Sequence, residues 1–124
     1  MKIPNGHQTI MPYLIVPGAE KFSAFMQKVF GAEETFKRLR EDEKTVMHAE
    51  IKIGNSTIMF ADATDKFKSN TAALFIYVEN ADASYKKAID EGAATVMELS
   101  DQDYGRTCGV SDPFGNTWWI TSVK

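Results

Sequence analysis

Hydrophobic positions along this chain follow two rhythms, one of period two and one of period 3.6, and their order of appearance repeats once. Thr9 to Val16 is a β-rich run bounded by Gly6 and Pro17-Gly18, which predicts a strand. Phe22, Phe25, Met26, Val29 and Phe30 then recur at the one-face spacing of a helix, and Gly31 stands where that helix should stop. Three strand-like segments follow: Glu34 to Arg40, Val46 to Ile53 and Ser56 to Ala61. The last two are joined by Gly54-Asn55, a two-residue hairpin signal with glycine first.

After a polar link, Thr64 to Asn70, the order begins again. Thr71 to Val78 predicts a strand, and Ala81 to Glu91 predicts a helix with Tyr85, Ala88 and Ile89 on its apolar face. Gly92 ends that helix. Ala94 to Leu99, Arg106 to Ser111 and Asn116 to Val123 complete the set, with Asp112-Pro113-Phe114-Gly115 turning into the last. Val16-Pro17-Gly18-Ala19-Glu20 parallels Val78-Glu79-Asn80-Ala81-Asp82, and Gly31-Ala32 parallels Gly92-Ala93. A period of about 60 residues, met twice, suits a duplicated unit rather than a solenoid. The expectation is one α+β domain over residues 1–124: a first βαβββ module at 9–62, a second at 71–123, and an N-terminal arm at 1–8.

Side chains alternate across a strand, so parity assigns them to faces. Met47, Ala49, Ile51, Ile53, Ile58 and Phe60 fall on one apolar face, suited to packing under a helix, with Ile10, Leu14 and Val16. The other face takes Met11, Tyr13, His48, Glu50, Lys52 and Met59. In the second half Leu74, Ile76 and Val78 turn toward the helix, and Ala73, Phe75 and Tyr77 turn away. Trp118 and Trp119 are adjacent, so they point to opposite faces. Aromatic and apolar walls with a few polar groups describe an organic-ligand pocket, and nearly as well a subunit interface.

Composition narrows the partners. The net charge is −3, which argues against general nucleic-acid binding, and Lys37-Arg38-Leu39-Arg40 reads as a solvated strand end before Glu41-Asp42-Glu43. Cys108 is the only cysteine, so no intramolecular disulfide or cysteine-rich zinc site can form. The first residues lack the apolar core of a signal peptide, and the longest apolar run, Ala72 to Val78, is far short of a membrane span. A cytoplasmic location with no membrane partner is expected.

The paired β-α-β-β-β order, the helix ending at Gly31 and the stretch Asp112-Pro113-Phe114-Gly115-Asn116-Thr117-Trp118-Trp119 together resemble the vicinal oxygen chelate superfamily. This is the glyoxalase, bleomycin resistance protein and dioxygenase type. Val46-Met47-His48-Ala49-Glu50-Ile51-Lys52-Ile53-Gly54 looks most like its PhnB-like branch. The resemblance implies a cupped mixed sheet with helices on the convex side and the pocket within the cup. It also implies metal ligands on the first and fourth strand of each module. Those places hold Met11, Met59, Ala73 and Trp119, none of which suits a hard or borderline divalent cation. No metal and no cofactor are therefore expected. Trp119 goes to the pocket face and Trp118 to the core.

The candidate ligand-binding residues are Tyr13, His48, Glu50, Met59, Phe75, Tyr77, Arg106 and Trp119. His48 and Glu50 rise side by side on one strand, as an anchor, a general base or an ordinary polar pair. A new metal site from His48, Glu50 and a mobile His7 is the remaining use of the histidines. Arg106 either clamps an anion or lies on the helix side with Cys108 and Val110. No catalytic residue is assigned. The leading expectation is a binder of a small hydrophobic or aromatic organic molecule in a metal-free concave pocket. The alternatives are a lyase, isomerase or dioxygenase-type enzyme with a non-standard metal site, and a non-catalytic dimeric interaction module. A homodimer is expected in any of the three.

Overall fold

The computed structural model describes every residue from Met1 to Lys124, and the chain divides into two compact units. The first holds Met1–Gln27 and Gly31–Asn70; the second holds Lys28–Phe30 and Thr71–Lys124. The elements run β1 (Tyr13–Val16), α1 (Ala19–Phe30), β2 (Glu33–Leu39), β3 (Val46–Ile53), β4 (Ser56–Asp62), β5 (Ala73–Tyr77), α2 (Ala81–Asp90), β6 (Ala94–Gln102), β7 (Gly105–Ser111) and β8 (Thr117–Ser122). The fold is α+β, with two four-stranded mixed sheets ordered β1-β4-β3-β2 and β5-β8-β7-β6. In each sheet the first strand pairs parallel to the last, and the other pairings are antiparallel.

One irregularity of register repeats between the sheets and a second does not, since it falls on β3 at Met47 in one and on β6 between Met97 and Ser100 in the other. β2 carries an extra residue, Thr35, between the pairs Glu34 with Ile51 and Phe36 with Glu50. β6 carries Val96 between Thr95 with Val110 and Met97 with Gly109. Such bulges bend a strand and sharpen its twist, and here they fall at equivalent points. Each helix start finds a side-chain acceptor at the end of its sheet's last strand, while only α2 is also capped, by the Asn80 side chain. Ala19 N–H donates to Asp62 Oδ1 at the end of β4 (2.7 Å), and Ala81 N–H donates to Ser122 Oγ at the end of β8 (3.1 Å).

The first core lies between α1 and its sheet. Phe22 meets Phe60 edge to face with centroids 5.2 Å apart, and Leu14, Val16, Ala49, Ile51 and Ile58 are buried as parity required. Two expectations fail here. β1 begins only at Tyr13, past Pro12, which has no N–H for a ladder bond, and Ile10 is exposed rather than packed. Met47 leaves the core side because the partner of β2 jumps from His48 to Val46 between Arg38 and Leu39. Met47 is thus a bulge residue, Val46 takes the buried place, and Met47 turns to the opposite face.

In the second unit Asp112 organises the turn into β8. Its Oδ1 accepts from the N–H groups of Phe114 (2.8 Å) and Asn116 (2.9 Å). Its Oδ2 accepts from Asn116 Nδ2 (3.0 Å) and Trp118 Nε1 (2.8 Å). Asn116 in turn accepts from Ala72 N–H, which fixes the entry to β5. Trp118 is 1% exposed and packs against Phe30 at 4.8 Å, while Cys108 is fully buried. Burial pushes the Cys108 thiol up to about 11, so it stays protonated.

Candidate functional site

On the first sheet, the face away from α1 carries a row that crosses all four strands: Phe36, Glu50, Met59 and Tyr13. The neighbouring row holds Arg38, His48 and Ile15, with Ala61 opposite Ile15. Across these rows runs a chain of hydrogen-bonded side chains. His7 Nε2 lies 2.6 Å from Glu50 Oε1, and His48 Nε2 lies 2.8 Å from Glu50 Oε2. His48 Nδ1 lies 3.2 Å from the Tyr13 hydroxyl. An ionised carboxylate only accepts, so both Nε2 atoms carry their proton toward Glu50. In the neutral ring His48 Nδ1 then accepts from Tyr13. Burial alone would raise the Glu50 pKa. The hydrogen bonds from His48 and His7, and the charge of the two rings, outweigh it and hold the carboxyl below its ordinary value.

The arm on either side of His7 is hydrogen-bonded to the sheet. Gln8 Nε2 donates to Thr57 O (2.8 Å), Thr57 N–H donates to Gln8 Oε1 (3.2 Å), and Thr57 Oγ1 donates to Gly6 O. The arm is thereby laced to β4 and reaches Glu50 on β3. Each Glu50 oxygen takes one imidazole, so Glu50 positions His48.

Beside this cluster lies a groove of about 610 Å³ lined by Tyr13, Ile15, Arg40, Glu41, Met47, Ala61, Asp62 and Phe67. Its walls are chiefly apolar, and its volume suits a drug-sized molecule. Asp62 offers little to a ligand, since Oδ1 takes Ala19 N–H and Oδ2 takes Val46 N–H (2.7 Å). Arg40 is not the solvated strand end expected of it. Its Nη2 donates to the Asp62 carbonyl (3.0 Å), and its Nη1 is buried with no acceptor.

The corresponding face of the second sheet is built differently. Phe75, Trp119, Gly109 and Met97 form the row equivalent to Tyr13, Met59, Glu50 and Phe36. The Trp119 ring lies on Gly109 so closely that a Cβ there would sit 2.4 Å from Cζ3. Phe75 and Tyr77 are exposed and meet at 5.3 Å, edge to face. Beside Trp119, Thr107 and Thr121 are buried and hydrogen-bonded to each other (2.8 Å).

Of the residues singled out from sequence, Tyr13, His48, Glu50 and Met59 share one face in the first unit. Phe75, Tyr77 and Trp119 share the matching face in the second. Arg106 is not among them. Its Nε and Nη2 grip the carboxylate of Asp82 on α2 (2.9 and 3.3 Å), which puts it on the helix side with Cys108 and Val110. Sequence reasoning passed over Ile15, Phe36, Arg40, Met47, Ala61 and Phe67. Ile15 was available from parity with Tyr13; Met47 was hidden by the bulge.

The strand places to which the resemblance assigns metal ligands do not suit an ion. Met11 Sδ accepts from Gln8 N–H (3.3 Å), Met59 stands between Tyr13 and Glu50, and Trp119 covers Gly109. Nor is any group of three or more His, Cys, Asp or Glu disposed to hold a metal. His7 and His48 aim at Glu50, each at its own oxygen. No helix is long and apolar enough to cross a membrane.

Paired βαβββ units with an open sheet face in each define a protein of the vicinal oxygen chelate class. Comparison with known proteins agrees: residues 7–120 match the Glyoxalase/Bleomycin resistance protein/Dioxygenase superfamily, and the chain belongs to that superfamily. An uncharacterized protein of Mycobacterium bovis is 31% identical over 126 residues, covering 92% of this chain and 82% of its own. Among solved structures, a PhnB protein from Bacillus cereus superposes with TM-score 0.71 at 19% identity, covering 94% of this chain and 100% of that one. TnmS3, an antibiotic binding protein from Streptomyces sp. CB03234, gives TM-score 0.67 at 18% identity, over 95% of this chain and 100% of that one.

Proposed function

We propose that this protein binds a small hydrophobic or aromatic organic molecule without a metal or cofactor. The observation that carries the reading is the groove on the first sheet, with Tyr13, Ile15, Met47, Ala61 and Phe67 among its lining. Met59 and the His48 ring continue that surface, with Glu50 holding His48 in place. Phe75, Tyr77 and Trp119 give the second unit a stacking surface of its own, and aromatic pairs add about 0.5–1.5 kcal/mol beyond burial. A structural neighbour described as an antibiotic binding protein supports the same direction. The test is a calorimetric titration with a panel of planar aromatic compounds, with Met47→Asp, which puts a charge on the groove wall, as reference. Saturable binding to wild type, lost in Met47→Asp, is expected; no binding across the panel at millimolar concentration sinks the reading.

A second reading, an enzyme of lyase, isomerase or oxygenase type, draws on the Tyr13–His48–Glu50 chain. There a ligand proton would pass to Tyr13 Oη as the phenol proton passes to His48 Nδ1, the imidazolium being held by Glu50. Chromatography and NMR of a bound ligand after prolonged incubation decide it. Conversion that Tyr13→Phe abolishes while affinity stays within about threefold supports the enzyme; unchanged ligand removes it. Either reading has the protein working as a cytoplasmic homodimer, the commonest oligomeric form. Light scattering that returns a monomer's mass removes the dimer.

A further inference from the structure

The guanidinium of Arg40 stands out in the first unit because its chemistry is incomplete. It lines the groove, donates once to the Asp62 carbonyl, and leaves Nη1 buried without an acceptor. No carboxylate oxygen lies within ion-pair distance of it, although its charge acts on Asp42 in the same turn, and no other side-chain nitrogen or oxygen is buried without a partner. A charged donor left unmade inside a protein is among the costlier defects a fold can carry, so such a donor beside a cavity invites a partner from outside. The two carboxylates that line the groove do not fill the role. Asp62 has both oxygens on backbone N–H groups, and Glu41 is exposed, where solvent and salt screen it.

The position of Arg40 is set by its main chain. Its N–H donates to Thr45 O (2.8 Å) and its carbonyl accepts from Glu43 N–H (2.9 Å), closing the turn that follows β2. The side chain is therefore presented from a fixed point to the apolar stretch formed by Ile15, Met47, Ala61 and Phe67. We infer that the groove's ligand is an aromatic acid, its ring against those four side chains and its carboxylate on Arg40, with Nη1 completed by a carboxylate oxygen. This rests on the proposed small-molecule role and adds a charge to it. Because Nη1 is shut off from water in the free protein, pairing comes with a small swing of the guanidinium or of the half-exposed Phe67.

The discriminating experiment compares 2-naphthoate with its neutral isostere 2-naphthamide by calorimetry and by naphthalene fluorescence anisotropy. On wild type the carboxylate binds at least tenfold more tightly, about 1.4 kcal/mol, and loses that margin as salt rises. Arg40→Gln brings the two compounds to equal affinity, and Arg40→Lys keeps part of the preference. Thermal unfolding of each variant shows that it is folded. Equal affinities on wild type, or a preference that survives in Arg40→Gln, overturn the acid. Naphthamide binding alone leaves the small-molecule role standing; failure of both compounds at millimolar concentration removes both.

Discussion

The two units share a backbone plan down to the bulge, yet their open sheet faces have diverged in opposite directions. Where the first places Tyr13, Met59, Glu50 and Phe36, the second places Phe75, Trp119, Gly109 and Met97. Glu50 draws two histidines and a tyrosine into one hydrogen-bonded chain. Gly109 removes a side chain so that an indole can lie flat on the strand. The same position in the fold thus builds a polar cluster once and an aromatic floor once. Duplication fixes where side chains are presented, and the residue at one β3 or β7 position decides what the face becomes.

The largest test of this contrast lies beneath the faces. Asp112 satisfies four donors at a buried turn for which the first unit has no counterpart. Asp112→Ala leaves the Phe114 and Asn116 N–H groups and the Trp118 indole without an acceptor. We expect a loss of about 4 kcal/mol in denaturant unfolding, with Asp112→Asn milder. The helix starts come next. Asp62→Ala removes acceptors from both Ala19 and Val46 and is expected to cost about 2–3 kcal/mol, whereas Ser122→Ala removes a single neutral bond and costs about 1 kcal/mol. Equal losses at the two sites would mean the matching caps are not energetically distinct.

Gly109→Ala attacks the aromatic floor directly. A methyl 2.4 Å from Trp119 Cζ3 has to lift the ring, at about 1–3 kcal/mol, and the Trp119 emission maximum should move. Glu50→Gln attacks the polar cluster, at about 1 kcal/mol near neutral pH. The sign of its pH dependence follows from the lowered Glu50 pKa. The stabilisation is complete above the ordinary value of 4.5 and is lost as pH falls through the lower folded value. The stability gap between wild type and Glu50→Gln should therefore close in acid; a gap that widens there would place the charge elsewhere.

The pattern of apolar positions carried the element order, both helix stops and the strand limits of β3. Repetition within the chain carried the two-module plan. Parity alone put Tyr13, His48, Glu50 and Met59 on one face, because alternation is a property of extended backbone and holds wherever the strand is regular. It failed at Met47, where a bulge adds one residue, and at Ile10, where the strand had not yet begun. Arg40 read as solvent-facing because a charge at a strand end usually is. Its neighbour across the sheet, Asp62, is 22 residues away in sequence, and only folding brings its carbonyl to the guanidinium.

The sequence by itself determined which segments are strands and helices, that β3 pairs with β4 through a tight turn, and which way most side chains point, since these follow from local periodicity and turn chemistry. The parallel pairings of β1 with β4 and of β5 with β8 came from the fold. Tertiary structure alone decided that His7 reaches Glu50 across 43 residues and that Arg40 closes a groove with one donor unspent. Those facts depend on where separate segments meet in space, and no local rhythm encodes such a distance.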